Sequence, residues 1–226
     1  MLKRYIMIVV IYLLCFISPF IPGFMWLAGR FPTIQQGYGT VYTGVFLITL
    51  AVVLLLLLPE RHMRSDKKAS PLISVVWAVL GVFALYLIQV LSVLINYAAF
   101  GQIPKSEHTQ DIISLARMSP IFILTVSIVG PLLEEIVFRK IFYGSLRRKT
   151  GVILAAIISS LVFALMHGDI RNLIIYFNIG LFLCFTYQMT NRIVVNMFMH
   201  AAMNAAAVLI SLNAPAISGL ALSFFR

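Results

Sequence analysis

Of the seven acidic residues in this 226-residue chain, two stand side by side inside one of its most apolar stretches. The segment GPLLEEIVFRK, residues 130–140, carries Glu134, Glu135 and Arg139, and from Pro120 to Phe138 there is no charge besides the two glutamates. An acidic residue at the centre of a membrane-crossing helix costs about 2.5–3.5 kcal/mol on insertion scales, so such residues mark function by default. Their spacing divides them. Glu135 and Arg139 are four apart with the acid first, the favourable order for a helical ion pair. Glu134 lies about 100° away around the helix. Glu135 and Arg139 are therefore expected to brace each other, and Glu134 to do chemistry, such as taking a proton from water.

Two later segments supply groups of the same kind. LVFALMHGD places Phe163 and His167 four apart, and NRIVVNMFMHAAMNAAAV places Asn196, His200 and Asn204 at successive four-residue steps. On a helix those three share one face. Each has a plainer reading: His167 as a helix-end residue, His200 and Asn204 as polar glue between helices, Glu134 as half of a locking ion pair. Taken together, three helices each contributing an acid–base group favour one site built from Glu134, His167, His200 and Asn204. A count of about 1.5 Å per residue puts Glu134 and His200 some 14 and 11 Å deep and His167 some 22 Å, so helix five must tilt or start later for the three to meet. His62 and His108 lie in polar loops and receive no role.

A bilayer is what must position these residues. Hydrophobic residues make up 62% of the chain and charged ones 11%, with a mean hydropathy of +1.02, too apolar for a water-soluble domain to hide. The expected fold class is all-α: a polytopic transmembrane helical bundle of about seven spans, near 5–29, 39–58, 72–98, 120–143, 152–167, 172–190 and 193–212. Residues 1–226 read as a single integral membrane domain with a motif-bearing core at about 120–212. The first span begins like a signal peptide, but its apolar run is too long, and it is expected to be retained. Pro19, Pro22 and Gly23 should kink it, and Pro131 the fourth. Cys15 and Cys184 read as small buried hydrophobes.

The net charge of +10 is not a nucleic-acid footprint, because the Lys and Arg residues sit in short loops between apolar runs. Lys3, Arg4, the loop PERHMRSDKKAS, Arg147 to Lys149 and Arg192 outweigh Arg30, Lys105, Arg117, Arg171 and Arg226, which predicts a cytoplasmic N-terminus.

EEIVFR (Glu134 to Arg139), FALMH (Phe163 to His167) and HAAMN (His200 to Asn204) resemble, in order and approximate spacing, the three motifs of the CPBP family. These are the CAAX prenyl endopeptidases and bacteriocin-processing proteins, also called Abi proteins. The resemblance covers roughly 120–210 and implies an intramembrane endopeptidase whose site opens to the cytoplasm. By motif, Glu134 and His167 would activate water, His200 and Asn204 would stabilise the oxyanion, and Glu135 and Arg139 would support the site. A catalytic zinc on Glu134, His167 and His200 is the alternative chemistry. Against it stand the absence of HExxH and the presence of Asn204, better suited to an oxyanion hole, so no cofactor is the expectation. The expected partners are a small peptide precursor or membrane-associated substrate and the lipid bilayer, with no nucleic acid, in a bacterial plasma membrane. Two rivals use the same residues: a non-proteolytic scaffold or bacteriocin self-immunity protein of the same fold, and a proton-coupled transporter, which no internal repeat supports.

Overall fold

The computed structural model describes residues 1–60, 68–101 and 107–224, without the side chains of 100, 107–108 and 214–224. Expectations for His62, Arg61, Arg64, Lys67, Lys105 and Arg226 lie outside the described residues. No strand occurs among the described residues, and the large apolar side chains left exposed, such as Leu72, Phe83 and Ile153, form a surface suited to lipid. The protein is an all-α bundle embedded in the membrane.

The first expected span is two helices rather than one kinked helix. α1 (Leu2–Ile17) runs into a 3₁₀ turn over Ser18–Phe20, and α2 (Pro22–Ala28) follows as a separate piece. Ile21 between them is extended (φ −82°, ψ 127°), the conformation that Pro22 forces on its predecessor, so the helix cannot run through. α3 (Ile34–Leu57) starts on Thr33, whose hydroxyl accepts from Gln36 N at 3.2 Å. α4 (Pro71–Phe100) starts on Ser70, accepting from Ile73 N at 3.3 Å, and stops at Gly101, where φ is +68°.

Between 101 and 120 the sequence reading has no helix, yet the chain forms α5 (Glu107–Met118). Its Ile112, Ile113, Leu115 and Ala116 turn inward while Asp111, Ser114 and Arg117 are exposed. Too short and too polar to cross a bilayer, it is built like an interfacial helix.

The motif-bearing stretch from 122 to 150 is helical but uneven. α6 (Phe122–Leu124) passes into a π-helical turn, Thr125–Val129, then α7 (Gly130–Glu134), a second π-helical segment, Glu135–Tyr143, and α8 (Gly144–Thr150). α9 (Val152–Met166), α10 (Leu173–Thr190) and α11 (Ile193–Phe224) complete the bundle. α9 and α10 pack closely enough that a Cβ on Gly180 would come within 2.9 Å of Ser160 Cβ.

Among the described residues five helices are long and apolar enough to cross a membrane: Leu2–Phe20, Ile34–Glu60, Pro71–Ala99, Ile170–Thr190 and Ile193–Asn213. The difference from seven expected spans lies in the two segments that carry the first two motifs. Val152–Met166 has 15 residues, about 22 Å of helix against a hydrocarbon core of about 30 Å. The 122–150 stretch is divided by its π turns. Both pack one face against the bundle, through residues such as Leu133, Ile136, Ala155 and Phe163, and leave apolar side chains such as Ile128, Ile153 and Leu165 exposed on the other.

Candidate active site

Glu134 and Glu135 leave their helix in different directions and meet different surroundings. Glu135 is fully buried, and its carboxylate is claimed from three sides: Arg139 Nη1 at 3.2 Å, His200 Nδ1 at 2.9 Å and Asn196 Nδ2 at 3.2 Å. The Arg139 guanidinium makes no well-aligned hydrogen bond among the described residues. It is held by the Glu135 charge and by the face of Phe163, with Cζ 4.1 Å from the ring centroid. Asn196 also donates to Leu183 O at 2.7 Å, which fixes α11 against α10. The expected Glu135–Arg139 pair is present, and two residues of α11 complete it.

Glu134 instead faces a cavity of about 910 Å³, with 19% of its side chain exposed. Its Oε2 lies 3.7 Å from His200 Nε2, an approach rather than a hydrogen bond. His200 therefore stands between the two glutamates, one ring nitrogen toward each. A carboxylate can only accept, so Nδ1 carries its proton toward Glu135 and the Nε2 edge is turned to Glu134.

His167 lines the same cavity from just beyond α9. Its Nδ1 is 2.8 Å from Phe163 O, and since a carbonyl cannot donate, Nδ1 holds a proton and Nε2 is the acceptor edge. The ring stacks on Tyr176 of α10 at a centroid distance of 4.1 Å and an angle of 26°. Its loop is clamped by Asn172 donating to Asp169 at 2.8 Å and by Asn96 of α4 donating to Arg171 O at 2.6 Å.

Asn204 enters the cavity one turn beyond His200, and its placement follows from Pro131. The N–H of Gly130 bonds to Thr125 O, five residues back, instead of Val126 O, and Pro131, the next in register, has no N–H. Val126 O is thereby left for a side chain, and Asn204 Nδ2 donates to it at 3.2 Å. Thr125, whose hydroxyl donates to Thr43 at 2.8 Å, ties this π turn to α3. Pro131, expected to kink this helix, leaves a carbonyl free, and α11 takes it.

Glu134, His167, His200 and Asn204 thus all line one cavity, with His167 just past the end of α9. Asn196, Phe163 and Tyr176 are site components that the sequence reading did not select. The four-residue step from Asn196 to His200 was the available signal for the first. The cavity has aromatic walls, including Tyr12, Tyr38, Tyr42, Phe46 and Phe122.

Phe20, Met25, Gln35, Asp111 and Ser211 line the outer part of the cavity. They lie where α1 and α11 run out and α3 starts, the end of the bundle opposite the N-terminus.

A buried ion-pair cluster thus backs a glutamate and two histidines around one cavity in a membrane-embedded helical bundle. Residues 116–206 match the type II CAAX prenyl endopeptidase Rce1-like family. The chain belongs to this family of CAAX-type membrane peptidases. It is 39% identical over 180 residues to the "Putative membrane peptidase YdiL" of Bacillus subtilis (strain 168), covering 79% of this chain and 73% of the relative. It is 36% identical over 182 residues to the "Membrane-embedded CAAX protease MroQ" of Staphylococcus aureus (strain USA300), covering 76% and 73%. No solved structure matches it.

Proposed function

We propose that this chain is an endopeptidase that hydrolyses a peptide bond within the membrane by a metal-free glutamate mechanism. The observation that carries the reading is Glu134 standing 3.7 Å from the His200 ring on the wall of one cavity, while the other edge of that ring is pinned by Glu135. In this mechanism Glu134 and the acceptor edge of His167 orient a water. As the water oxygen attacks the substrate carbonyl carbon, its proton passes to Glu134, which later delivers it to the departing amine nitrogen.

The oxyanion needs donors. The Asn204 amide has two N–H groups, of which one is used by Val126 O, leaving the second for the oxyanion. His200 donates from Nε2 when protonated, and then Glu134, Glu135, Arg139 and His200 sum to zero charge, which suits a cavity of low polarity. One such donor contributes about 2.7–4 kcal/mol elsewhere. The Asn204 amide also supports the metal-free reading over a zinc held by Glu134, His167 and His200, because it serves an oxyanion better than a metal shell. The substrate is a small peptide precursor or a membrane-associated polypeptide. The same reading places the chain in a bacterial plasma membrane with its N-terminus in the cytoplasm, on the distribution of loop cations.

The test is cleavage of a peptide library by the detergent-purified chain beside Glu134→Gln, each with and without a strong chelator. Cleavage that survives the chelator and disappears in Glu134→Gln is the expected result. Loss to the chelator in the wild type would transfer the reading to a metal site. Equal cleavage by both chains would remove Glu134 from the mechanism.

A further inference from the structure

The two ends of the bundle differ in charge and in access. At one end Arg4 Nη1 reaches Leu56 O at 3.5 Å, and Glu60 takes Tyr5 OH at 3.2 Å and Lys140 Nζ at 2.9 Å. At the same end Arg147 Nη1 donates to Gln188 at 2.8 Å, and Arg192 Nε donates to Ala69 O at 2.7 Å. These contacts gather the chain start, the end of α3, the start of α4, α8 and the α10–α11 turn into one closed layer. It carries Lys3, Arg4, Lys68, Arg192 and the run Arg147 to Lys149.

The opposite end is joined by Asn96 donating to Arg171 O at 2.6 Å, Arg117 reaching Ser211 O at 3.5 Å and Ser119 donating to Gln36 O at 3.4 Å. Its described cations are Arg30, Arg117 and Arg171, with Asp111 and Asp169 among them. The cavity opens here, between α2, the start of α3 and α5.

Short loops rich in Lys and Arg are retained on the cytoplasmic side during insertion, and each such residue is also drawn to the anionic inner leaflet by about 1 kcal/mol. That rule assigns the closed, basic layer to the cytoplasm. The mouth of the cavity must then face the other way. The amphipathic α5 beside the mouth fits this placement, lying where headgroups meet water.

We propose that the site of this chain opens to the non-cytoplasmic side of the membrane and takes an apolar peptide segment presented from that side. The word substrate rests on the peptidase reading above, whereas the direction of the opening does not. A peptide synthesised in the cytoplasm would meet this site only after its scissile region had crossed the bilayer. The chemistry that must precede cleavage is therefore export or membrane insertion of the substrate.

The test uses the full chain in intact cells and a membrane-impermeant maleimide. The native Cys15 and Cys184 are buried, and the parent chain gives the background. Single cysteines are placed at the mouth (Asp111→Cys and, separately, Met25→Cys) and in the basic layer (Lys149→Cys), all exposed positions. The expected result is labelling of both mouth variants in intact cells, and of Lys149→Cys only after permeabilisation. Labelling of Lys149→Cys in intact cells, alone or together with the mouth variants, would overturn the proposal. Labelling needs no turnover, so a chain that cuts nothing still reports its direction. Conversely, failure of the Glu134→Gln comparison would remove the peptidase reading and leave the labelling pattern intact.

Discussion

Glu134 and Glu135 are neighbours in sequence, yet they occupy two different kinds of place. Glu135 lies fully buried in a knot with Arg139, His200 and Asn196. Glu134, one residue and about 100° of helix away, looks into a cavity, and one of its oxygens has no hydrogen bond among the described residues. Glu135 itself is buried behind these partners, whereas the open glutamate has little holding it. The difference teaches that a single helical step is enough to separate the group that fixes a geometry from the group that uses it. His200 belongs to both regions, since its two ring nitrogens serve one each.

The contrast is broken most directly from the open side. Glu134→Gln is expected to lower kcat by about 10²–10⁴-fold, the usual share of a general acid–base group, with the thermal midpoint of the purified protein unchanged. From the closed side, Glu135→Gln strands the Arg139 cation in the interior and is expected to destabilise the fold by about 3–5 kcal/mol, read as a lowered midpoint in detergent. If instead Glu135→Gln spared stability and Glu134→Gln reduced it, the division of labour would be reversed.

Smaller changes sharpen the picture. Asn196→Ala removes one donor from Glu135 and leaves Leu183 O without its partner, for an expected loss of about 1–3 kcal/mol of stability by the same melting assay. Pro131→Ala restores a backbone N–H that competes for Val126 O, and with it about 0.5–1.5 kcal/mol of the Asn204 anchor. The expected reading is a drop in kcat of up to about tenfold with KM unchanged. Tyr176→Leu removes the ring that stacks on His167 and should lose the roughly 0.5–1.5 kcal/mol that aromatic pairs contribute, read by the same melting assay.

Much of this was legible before any coordinates. The four-residue spacing announced the Glu135–Arg139 pair and the common face of Asn196, His200 and Asn204, because both depend only on the pitch of one helix. What could not be read was anything set between helices. That His200 turns its Nδ1 to Glu135 depends on the register of α11 against the 122–150 stretch, which no single segment encodes. The π turn before Pro131 is a choice of hydrogen-bond partner that hydropathy does not see. α5 was missed because its charges mask a short apolar stripe. The position of the cavity along the bundle was not legible, because charge distribution orients the helices but says nothing about which end of the bundle is left unfilled.

Phe163 has no polar atom, yet it touches all three motifs. Its ring centroid is 4.1 Å from the Arg139 guanidinium carbon, 4.5 Å from the His167 ring and 5.9 Å from the His200 ring. It acts as a gauge block between them. A benzene ring neither titrates nor responds to ionic strength, so the share of the spacing that Phe163 sets is the same at any pH or salt concentration. The charged bonds around it can weaken or return, and this spacer stays the same size.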